Sequence, residues 1–420
     1  MSVVVVATVE RVGIGGLLRR RIPALVWAGQ ATSAAGDRLY AVALVWVAAA
    51  ATGSPSAVAA VSLAETVPFL VVGMVSGWLA DRGDGLRLAR RVDLVRAVAV
   101  LVIPALDLTG KLSLPALAAV AAVLAGLDAF VVPALQASVP RLVEPAARTA
   151  MISLLDSTDR LARVVGPGLI AVLAVLPEIH LFTLDAATFL VSAACLTGVL
   201  TRLRPGPESA PPPGTAPRPR PLRGRALLGD VLDGWRLTST RPVLRDALVL
   251  RGLANIAWAG FTVATPFLVT DRYRHGIGAY GLTVAAFGAG NLIGLLLAPR
   301  VRDRSLITVA CLAWAGAGAG FTALAAAPGW AGFLAAAAAT GICTPLANVT
   351  VTAHIAATVP TELLARVFTA QRVTVAAAAA LGLPIAAALT HHLGPSVTLA
   401  TAGSAIIALG LGALIRHQHR

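Results

Sequence analysis

Charged residues stand inside long apolar stretches at several points of this 420-residue sequence. Asp37 and Arg38 are adjacent within the stretch 23–50, and Asp128 lies in the middle of the stretch 113–138. A charge at the centre of a bilayer costs about 2.5–3.5 kcal/mol even on lenient scales, so each such residue needs a partner or a function. We expect Asp37 to bind a proton or a substrate; the alternative is an ion pair with an arginine of another helix. Asp128 is a second candidate proton site, and the alternative there is a hydrogen bond that packs two helices.

Four charged residues share one face of the stretch 151–176. Asp156, Asp159, Arg160 and Arg163 occur at i, i+3, i+4 and i+7, a spacing that places them along one stripe of a helix. Local pairs between Asp156 and Arg160 and between Asp159 and Arg163 would lower the net charge that has to be buried. Asp159 and Arg163 are therefore candidates for coupling to a proton or a substrate.

Other residues in the apolar stretches are candidates for a direct role in binding. For each of them, plain helix packing or solvation near a helix end is the competing interpretation. The further candidates for coupling or for lining a cavity are Glu65, Arg38, Tyr40, Asp185, Arg251 and Asn348.

The composition indicates that membrane-spanning helices carry these residues. Hydrophobic residues make up 57% of the chain, charged residues make up 13%, and the mean hydropathy is +0.81. The apolar residues form blocks of roughly twenty, the length of a helix that crosses a bilayer. We predict an all-α membrane protein with twelve transmembrane helices, at about 23–50, 56–80, 93–109, 113–138, 151–176, 179–201, 243–269, 277–298, 305–326, 330–353, 366–390 and 395–415.

The twelve spans divide into two similar halves. ALQASVP (134–140) closes the fourth span and HIAATVP (354–360) closes the tenth, and the same offset places Asn348 opposite Asp128. Two pseudo-symmetric six-helix bundles that hold a substrate between them are typical of transporters. A segment rich in proline, glycine and arginine separates the halves and predicts an exposed linker. The predicted domains are a cytoplasmic tail 1–22, a bundle 23–201, a cytoplasmic linker 202–242, a bundle 243–415 and a cytoplasmic tail 416–420.

The basic residues concentrate on the side of the membrane that holds both termini and the linker. The loops on the opposite side contain only Lys111, Arg272 and Arg274 as basic residues. By the positive-inside rule, both termini are cytoplasmic and the protein is a multi-pass protein of the plasma membrane. The net charge of +14 therefore reflects topology, and no nucleic-acid partner is expected, since no aromatic residues interleave with the basic ones.

Enzyme chemistry, metals and cofactors are not expected. Cys195, Cys311 and Cys343 stand singly in apolar stretches without the spacing of metal ligands. The sequence has no Gly-Lys-Ser/Thr phosphate-binding loop, so an ion gradient is expected to supply the energy. The expected partners are a small-molecule substrate, protons and the lipid bilayer, and the chain is expected to be a monomer.

The connector GWLADRGDGLRLARR (77–91) lies between the second and third spans. It resembles the signature loop of the major facilitator superfamily, Gly-x-Leu-Ala-Asp-Arg-x-Gly-Arg-Arg, although Asp84 stands where that pattern has a glycine. RLYAVALVW in span one, AETVPFL in span two and DLVRA at 93–97 are similar to the branch that contains macrolide-efflux and enterobactin-exporter permeases. The residues that carry the loop resemblance are Gly77, Leu79, Ala80, Asp81 and Arg82, followed by the basic residues Arg87, Arg90 and Arg91.

The resemblance implies export of an amphipathic organic compound in exchange for protons by alternating access. In the family this loop acts as a latch on the cytoplasmic side; its main members here would be Asp81 and Arg82, with Arg366 as the opposite partner, and a purely topological role is the alternative. Gly166 and Pro167 resemble the core of the family's antiporter motif, where a proline bends the helix and a glycine admits a close neighbour. An importer of a sugar, an amino acid or another small solute with the same fold is the alternative function.

Overall fold

The computed structural model describes residues 14–80, 84–203, 235–240, 242–301 and 306–418. A short helix, Ile14–Leu18, comes first, and one π-helical turn, Leu268–Arg272, extends the seventh long helix. The twelve long helices in the described ranges are α1 (Arg21–Thr52), α2 (Pro55–Ala80), α3 (Gly85–Leu108), α4 (Leu114–Leu142), α5 (Arg148–Leu173), α6 (Ile179–Leu200), α7 (Pro242–Phe267), α8 (Ile277–Leu297), α9 (Leu306–Ala326), α10 (Trp330–Thr358), α11 (Thr361–Leu393) and α12 (Pro395–Gln418).

The prediction of an all-α membrane protein is confirmed. Each predicted span coincides with one long helix, and ten of the helices in the described ranges are long and apolar enough to cross a membrane. The helices α3 and α5 do not belong to these ten because each carries several charged side chains. Those side chains form the clusters described below.

The start of α3 differs from the sequence-based expectation. The helix begins at Gly85, eight residues before the predicted position, because the Asp84 carboxylate accepts hydrogen bonds from the amides of Leu86 (3.1 Å) and Arg87 (3.3 Å). A side chain at Gly85 would collide with the carbonyl of Ala134, so glycine is needed for the close contact between α3 and α4. The connector between α2 and α3 is therefore shorter than predicted, and its later arginines are helical.

Two ends of the chain also differ from the predicted boundaries. The helix Ile14–Leu18 lies within the predicted tail 1–22, and Leu17 in it is fully buried. At the other terminus, α12 continues to Gln418, beyond the predicted end at 415.

Helix packing repeats at an interval of six helices. In the first half, α1 packs against α5 and α6, α2 packs against α4, and α3 packs against α4 and α6. In the second half, α7 packs against α11 and α12, α8 packs against α10, and α9 packs against α10 and α12. The main contacts between the halves are those of α2 with α11 and of α5 with α8, and these two pairs are also equivalent.

Glycines on α8 bring it close to α5. A Cβ atom built on Gly281 would lie 2.7 Å from the Pro167 carbonyl oxygen, and one built on Gly288 would lie 2.7 Å from the Arg163 carbonyl oxygen. Both distances are shorter than a van der Waals contact, so the two backbones approach each other only because side chains are absent there.

The hydrophobic core differs between the two ends of the molecule. We call the end where α1 begins and α12 ends the linker end, and the end where α1 meets α2 the short-loop end. Toward the short-loop end, one core combines buried residues of both halves, and Trp46 of α1 stacks on Tyr280 of α8 with ring centroids 5.8 Å apart. Toward the linker end there are two separate clusters, one around Leu86 and Met151 and one around Val351. Among the residues whose side chains are described, one core is thus shared by the two halves toward the short-loop end, and each cluster toward the linker end lies within one half.

Candidate functional site

Arg96 of α3 is the centre of a buried acidic cluster. Its side chain is 4% exposed, and its Nη2 atom is paired with the Asp37 carboxylate of α1. The same Nη2 atom lies 3.6 Å from Oδ1 of Asp128 of α4, and Nη1 lies 3.9 Å from Oδ1 of Asp93, one turn earlier on α3. The guanidinium also stacks on the ring of Phe189 of α6, 4.1 Å from its centroid. Side chains of four helices thus converge on one arginine.

A fourth carboxyl group, Asp185 of α6, is fully buried beside this cluster. Asp185 lies within electrostatic range of Arg96 and Asp37. A Cβ atom on Gly36 would lie 2.6 Å from Oδ1 of Asp185, so the glycine before Asp37 allows α6 to pack against α1 at this level. The Thr188 hydroxyl donates to the same oxygen at 3.3 Å. The cluster therefore contains more carboxyl groups than guanidinium groups.

A second cluster joins α1 to α5. Asp159 accepts from Arg38 at 2.8 Å and from Arg163 at 2.9 Å, each through a different carboxylate oxygen. The other expected local pair, between Asp156 and Arg160, is also present at 2.8 Å. Because Asp37 and Arg38 are consecutive residues, one turn of α1 connects this second cluster to the Arg96 cluster.

Gly166 of α5 makes this connection possible. A Cβ atom on Gly166 would lie 2.5 Å from Cβ of Arg38 and 2.7 Å from the carbonyl oxygen of Ala35. The close approach brings α5 against α1 near the Arg38–Asp159 pair. Pro167 follows within the continuous helix α5, and its carbonyl oxygen faces Gly281 of α8.

The members of the two clusters differ in accessibility according to the helix that carries them. Asp128, Asp159 and Arg163 have side chains that are 41%, 44% and 56% exposed, respectively. Asp93 and Asp185 are fully buried. The charged groups on α4 and α5 are therefore partly exposed, whereas the carboxyl groups between α3 and α6 are enclosed.

Comparison with known proteins identifies the family. Residues 16–420 match the family model described as "Transmembrane secretion effector", which belongs to the major facilitator superfamily. The chain belongs to this family. It is a multi-pass membrane transporter, and the family and its relatives are transport proteins.

Two curated relatives are efflux proteins. The chain is 23% identical over 390 residues to macrolide efflux protein A of Streptococcus pyogenes, a match that covers 92% of this chain and 93% of that protein. It is 28% identical over 273 residues to the multidrug efflux pump Tap of Mycolicibacterium fortuitum. The second match spans 63% of the length of each protein, which is less than two thirds.

Solved structures show the same fold at low identity. A variant of the nucleoside transporter NupG superposes with a TM-score of 0.73 at 10% identity, covering 94% of this chain and 99% of that one. A bacterial homologue of the iron transporter ferroportin in an inward-facing state gives a TM-score of 0.71 at 15% identity, covering 94% of this chain and 98% of that one.

The remaining predicted residues are spread over both halves. Tyr40 lies in the core with its ring edge against Phe182 at 5.8 Å between centroids. Glu65 of α2 is half-buried and lies within electrostatic range of Arg38. In the second half, Arg251 Nη1 lies 3.4 Å from the Thr352 hydroxyl, which donates to the backbone carbonyl oxygen of Asn348 at 2.8 Å. Arg251 and Asn348 are thus linked through one threonine.

Most of the predicted latch lies outside the described residues. Asp81 and Arg82 fall in the gap before residue 84, and the burial of Gly77 and the side chain of Arg366 are likewise outside the description. Asp84, the residue that departs from the family pattern, caps α3 as described above.

Within the described part of this segment, Asp84 forms ion pairs with two arginines. It pairs with Arg141 of α4 at 3.3 Å and with Arg87 at 3.5 Å. Arg90 is half-buried and Arg91 is exposed, both in the first two turns of α3. The structure therefore gives Asp84 a structural role that accounts for its presence in the loop.

Sequence reasoning missed Arg96 and Asp93 as members of the site. The predicted span began at residue 93, which placed both residues close to the membrane surface, where charges need no special explanation. Their spacing of i and i+3 within DLVRA was the available signal. For Asp37, an ion pair with an arginine of another helix is present, and proton or substrate binding stays a prediction.

Proposed function

We propose that this protein exports an amphipathic small organic molecule, such as a drug, an antibiotic or a siderophore-like compound, in exchange for protons. The efflux relatives support the direction of transport and the substrate class. The observation that carries proton exchange is the Arg96 cluster, in which several carboxyl groups share one guanidinium. Carboxylates at such short separations repel one another, so the cluster can take up a proton without losing its arginine partner.

The proposed architecture is twelve transmembrane helices in two six-helix bundles, 23–201 and 243–415, joined by the linker 202–242. The repetition of packing pairs at an interval of six helices supports this division. The distribution of basic residues supports a cytoplasmic linker end, with both termini cytoplasmic, in the plasma membrane.

In the proposed cycle, proton and substrate compete for a carboxylate of the Arg96 cluster. Asp128 is the accessible member and Asp37 is the member paired with Arg96, so these two residues are the proposed coupling sites. Asp159 forms ion pairs with Arg38 of α1 and Arg163 of α5, so a movement of α1 would be transmitted to α5. The helix α5 in turn contacts the second half through α8. Exchange follows if either proton or substrate, but not both, occupies the cluster when the halves rock.

The remaining site residues keep the proposed roles that the sequence suggested. Asp81 and Arg82, with Gly77, would close the cytoplasmic side as a latch. Glu65 would take part in proton or substrate coupling, and Arg251 and Asn348 would face the substrate from the second half. The transporter would work as a monomer.

Proton exchange is tested in inside-out vesicles with a respiration-driven pH gradient, reported by a quenched dye. Amphipathic antibiotics, dyes and siderophores are added to vesicles that contain the native protein, Asp37→Asn or Asp107→Asn. Asp107 is an exposed carboxylate at the short-loop end of the same helix as Arg96, so it is a matched control. We expect at least one compound to restore the dye signal with the native protein and with Asp107→Asn, but not with Asp37→Asn.

Two results would contradict the proposal. Equal responses of the native protein and Asp37→Asn would exclude Asp37 from coupling. If no compound responds while whole cells accumulate a sugar or an amino acid through the protein, the importer with the same fold replaces the exporter.

A further inference from the structure

A basic pocket lies at the linker end of the first half, away from the Arg96 cluster. It has a volume of about 370 Å³ and forms where the start of α1, the end of α4 and the start of α5 meet. Its lining residues are Arg20, Pro140, Arg141, Leu142, Val143, Glu144, Pro145 and Arg148. Three arginines and one glutamate therefore line an open depression on the surface.

The charges in this pocket are only partly neutralised from within. Arg20 pairs with Glu144 at 3.4 Å, and Arg141 pairs with Asp84 at 3.3 Å. Arg148 is exposed at the first turn of α5, where the helix dipole adds partial positive charge. The pocket thus has a net positive charge, and an anion is the ligand that fits it.

The surroundings of the pocket favour a lipid over a soluble anion. Ile152 lies one turn beyond Arg148 on the same face of α5, and its side chain is exposed. Ile14, in the short helix before Arg20, is exposed as well. Basic groups at the end of membrane helices with exposed apolar side chains beside them match the headgroup and the acyl chain of one molecule.

We propose that this pocket binds the headgroup phosphate of an anionic phospholipid. The lipid would bridge α1, α4 and α5, the helices that carry Asp37, Asp128 and Asp159. Its binding would hold the linker ends of these helices together. The proposal concerns a regulatory site and does not depend on proton exchange or on the direction of transport.

The test measures lipid binding to the purified full chain by native mass spectrometry. Phosphatidylglycerol is added to the native protein, to Arg20→Gln/Arg148→Gln and to Arg245→Gln, an exposed arginine at the linker end of α7. A basic residue near a lipid surface contributes about fivefold to binding, so the double variant is expected to bind about 30-fold more weakly. Arg245→Gln and the native protein are expected to bind equally.

A variant with the opposite sign separates specific binding from a loss of structure. Glu144→Gln removes the carboxylate that competes for Arg20, so we expect about fivefold tighter binding of phosphatidylglycerol. Three results would overturn the proposal: an equal loss in Arg245→Gln, equal binding of phosphatidylcholine, or displacement of the lipid by inorganic phosphate, which would identify a soluble anion as the ligand.

Discussion

Removal of the Arg96 charge is the most direct test of how the acidic cluster is held together. Arg96→Met keeps most of the side-chain volume but leaves Asp37, Asp93 and Asp128 without their shared cation. Removing one partner of a buried ion pair costs about 3–5 kcal/mol, because the remaining charge is left uncompensated. Since the Arg96 side chain is almost fully enclosed, we expect a loss within that range in the free energy of unfolding.

A second substitution measures how much of this loss comes from Asp37. In the Arg96→Met background, Asp37→Asn removes one of the uncompensated carboxylates, so the double variant should lose about 0.5–3 kcal/mol less than the sum of the two single losses, the usual interaction energy for residues in contact. Arg163→Met is the matched control. Its side chain is 56% exposed and its partner Asp159 keeps Arg38, so we expect a loss of about 0–1 kcal/mol.

The assay is a denaturant titration of the purified protein in mixed micelles, followed by tryptophan fluorescence. A shift of the midpoint at constant slope reports a change in stability. Two results would refute the reasoning: equal losses for Arg96→Met and Arg163→Met, or losses for Arg96→Met and Asp37→Asn that simply add in the double variant. Either would show that the arginine does not neutralise the cluster.

Three further predictions concern the helices around the cluster. Asp84→Ala should lower the free energy of unfolding by about 1 kcal/mol because the α3 cap is lost, and Asp84→Asn should retain most of it in the same titration; equal losses would exclude capping. Gly288→Val places a side chain against the Arg163 carbonyl oxygen, so vesicle transport should be lost at unchanged membrane insertion; full transport would show that α5 and α8 need no close contact. Tyr40→Phe removes a hydroxyl without a hydrogen-bond partner among the described residues, so stability should stay equal or rise by up to about 1 kcal/mol; a clear loss would reveal a bonded hydroxyl.

Helix positions were accessible from the sequence because bilayer thickness sets the length of an apolar block. The start of α3 could not be predicted in this way, because a hydropathy profile does not register the hydrogen bonds of a helix cap. Asp84 supplies hydrogen bonds to the first amides, and Arg87 and Arg91, which follow in the first two turns, are exposed. A helix therefore extends well beyond the apolar residues that reveal it.

The sequence predicted only some of the residues that form the site. The depth of Asp37 and Asp128 in their spans marked them as residues that need a partner, and both lie beside Arg96. The identity of that partner depends on which faces of α1, α3 and α4 meet, and this is decided by packing between helices far apart in sequence. The close contact between α3 and α4 needs Gly85, yet in the sequence this glycine looks like any other small residue.

The position of the shared core at the short-loop end determines how far the linker ends of the helices can move. With its 26 residues, α5 is about 39 Å long at 1.5 Å per residue. If α5 turns about its contact with α8 at Pro167, its start at Arg148 lies about 28 Å away, so a rotation of about 10° moves that end by about 5 Å, while atoms near the pivot shift by less than a bond length. The glycine contacts between α5 and α8 thus form the hinge of this rotation. Substitutions a few ångströms from the hinge should alter the distance between the linker ends of the two halves far more than substitutions at those ends.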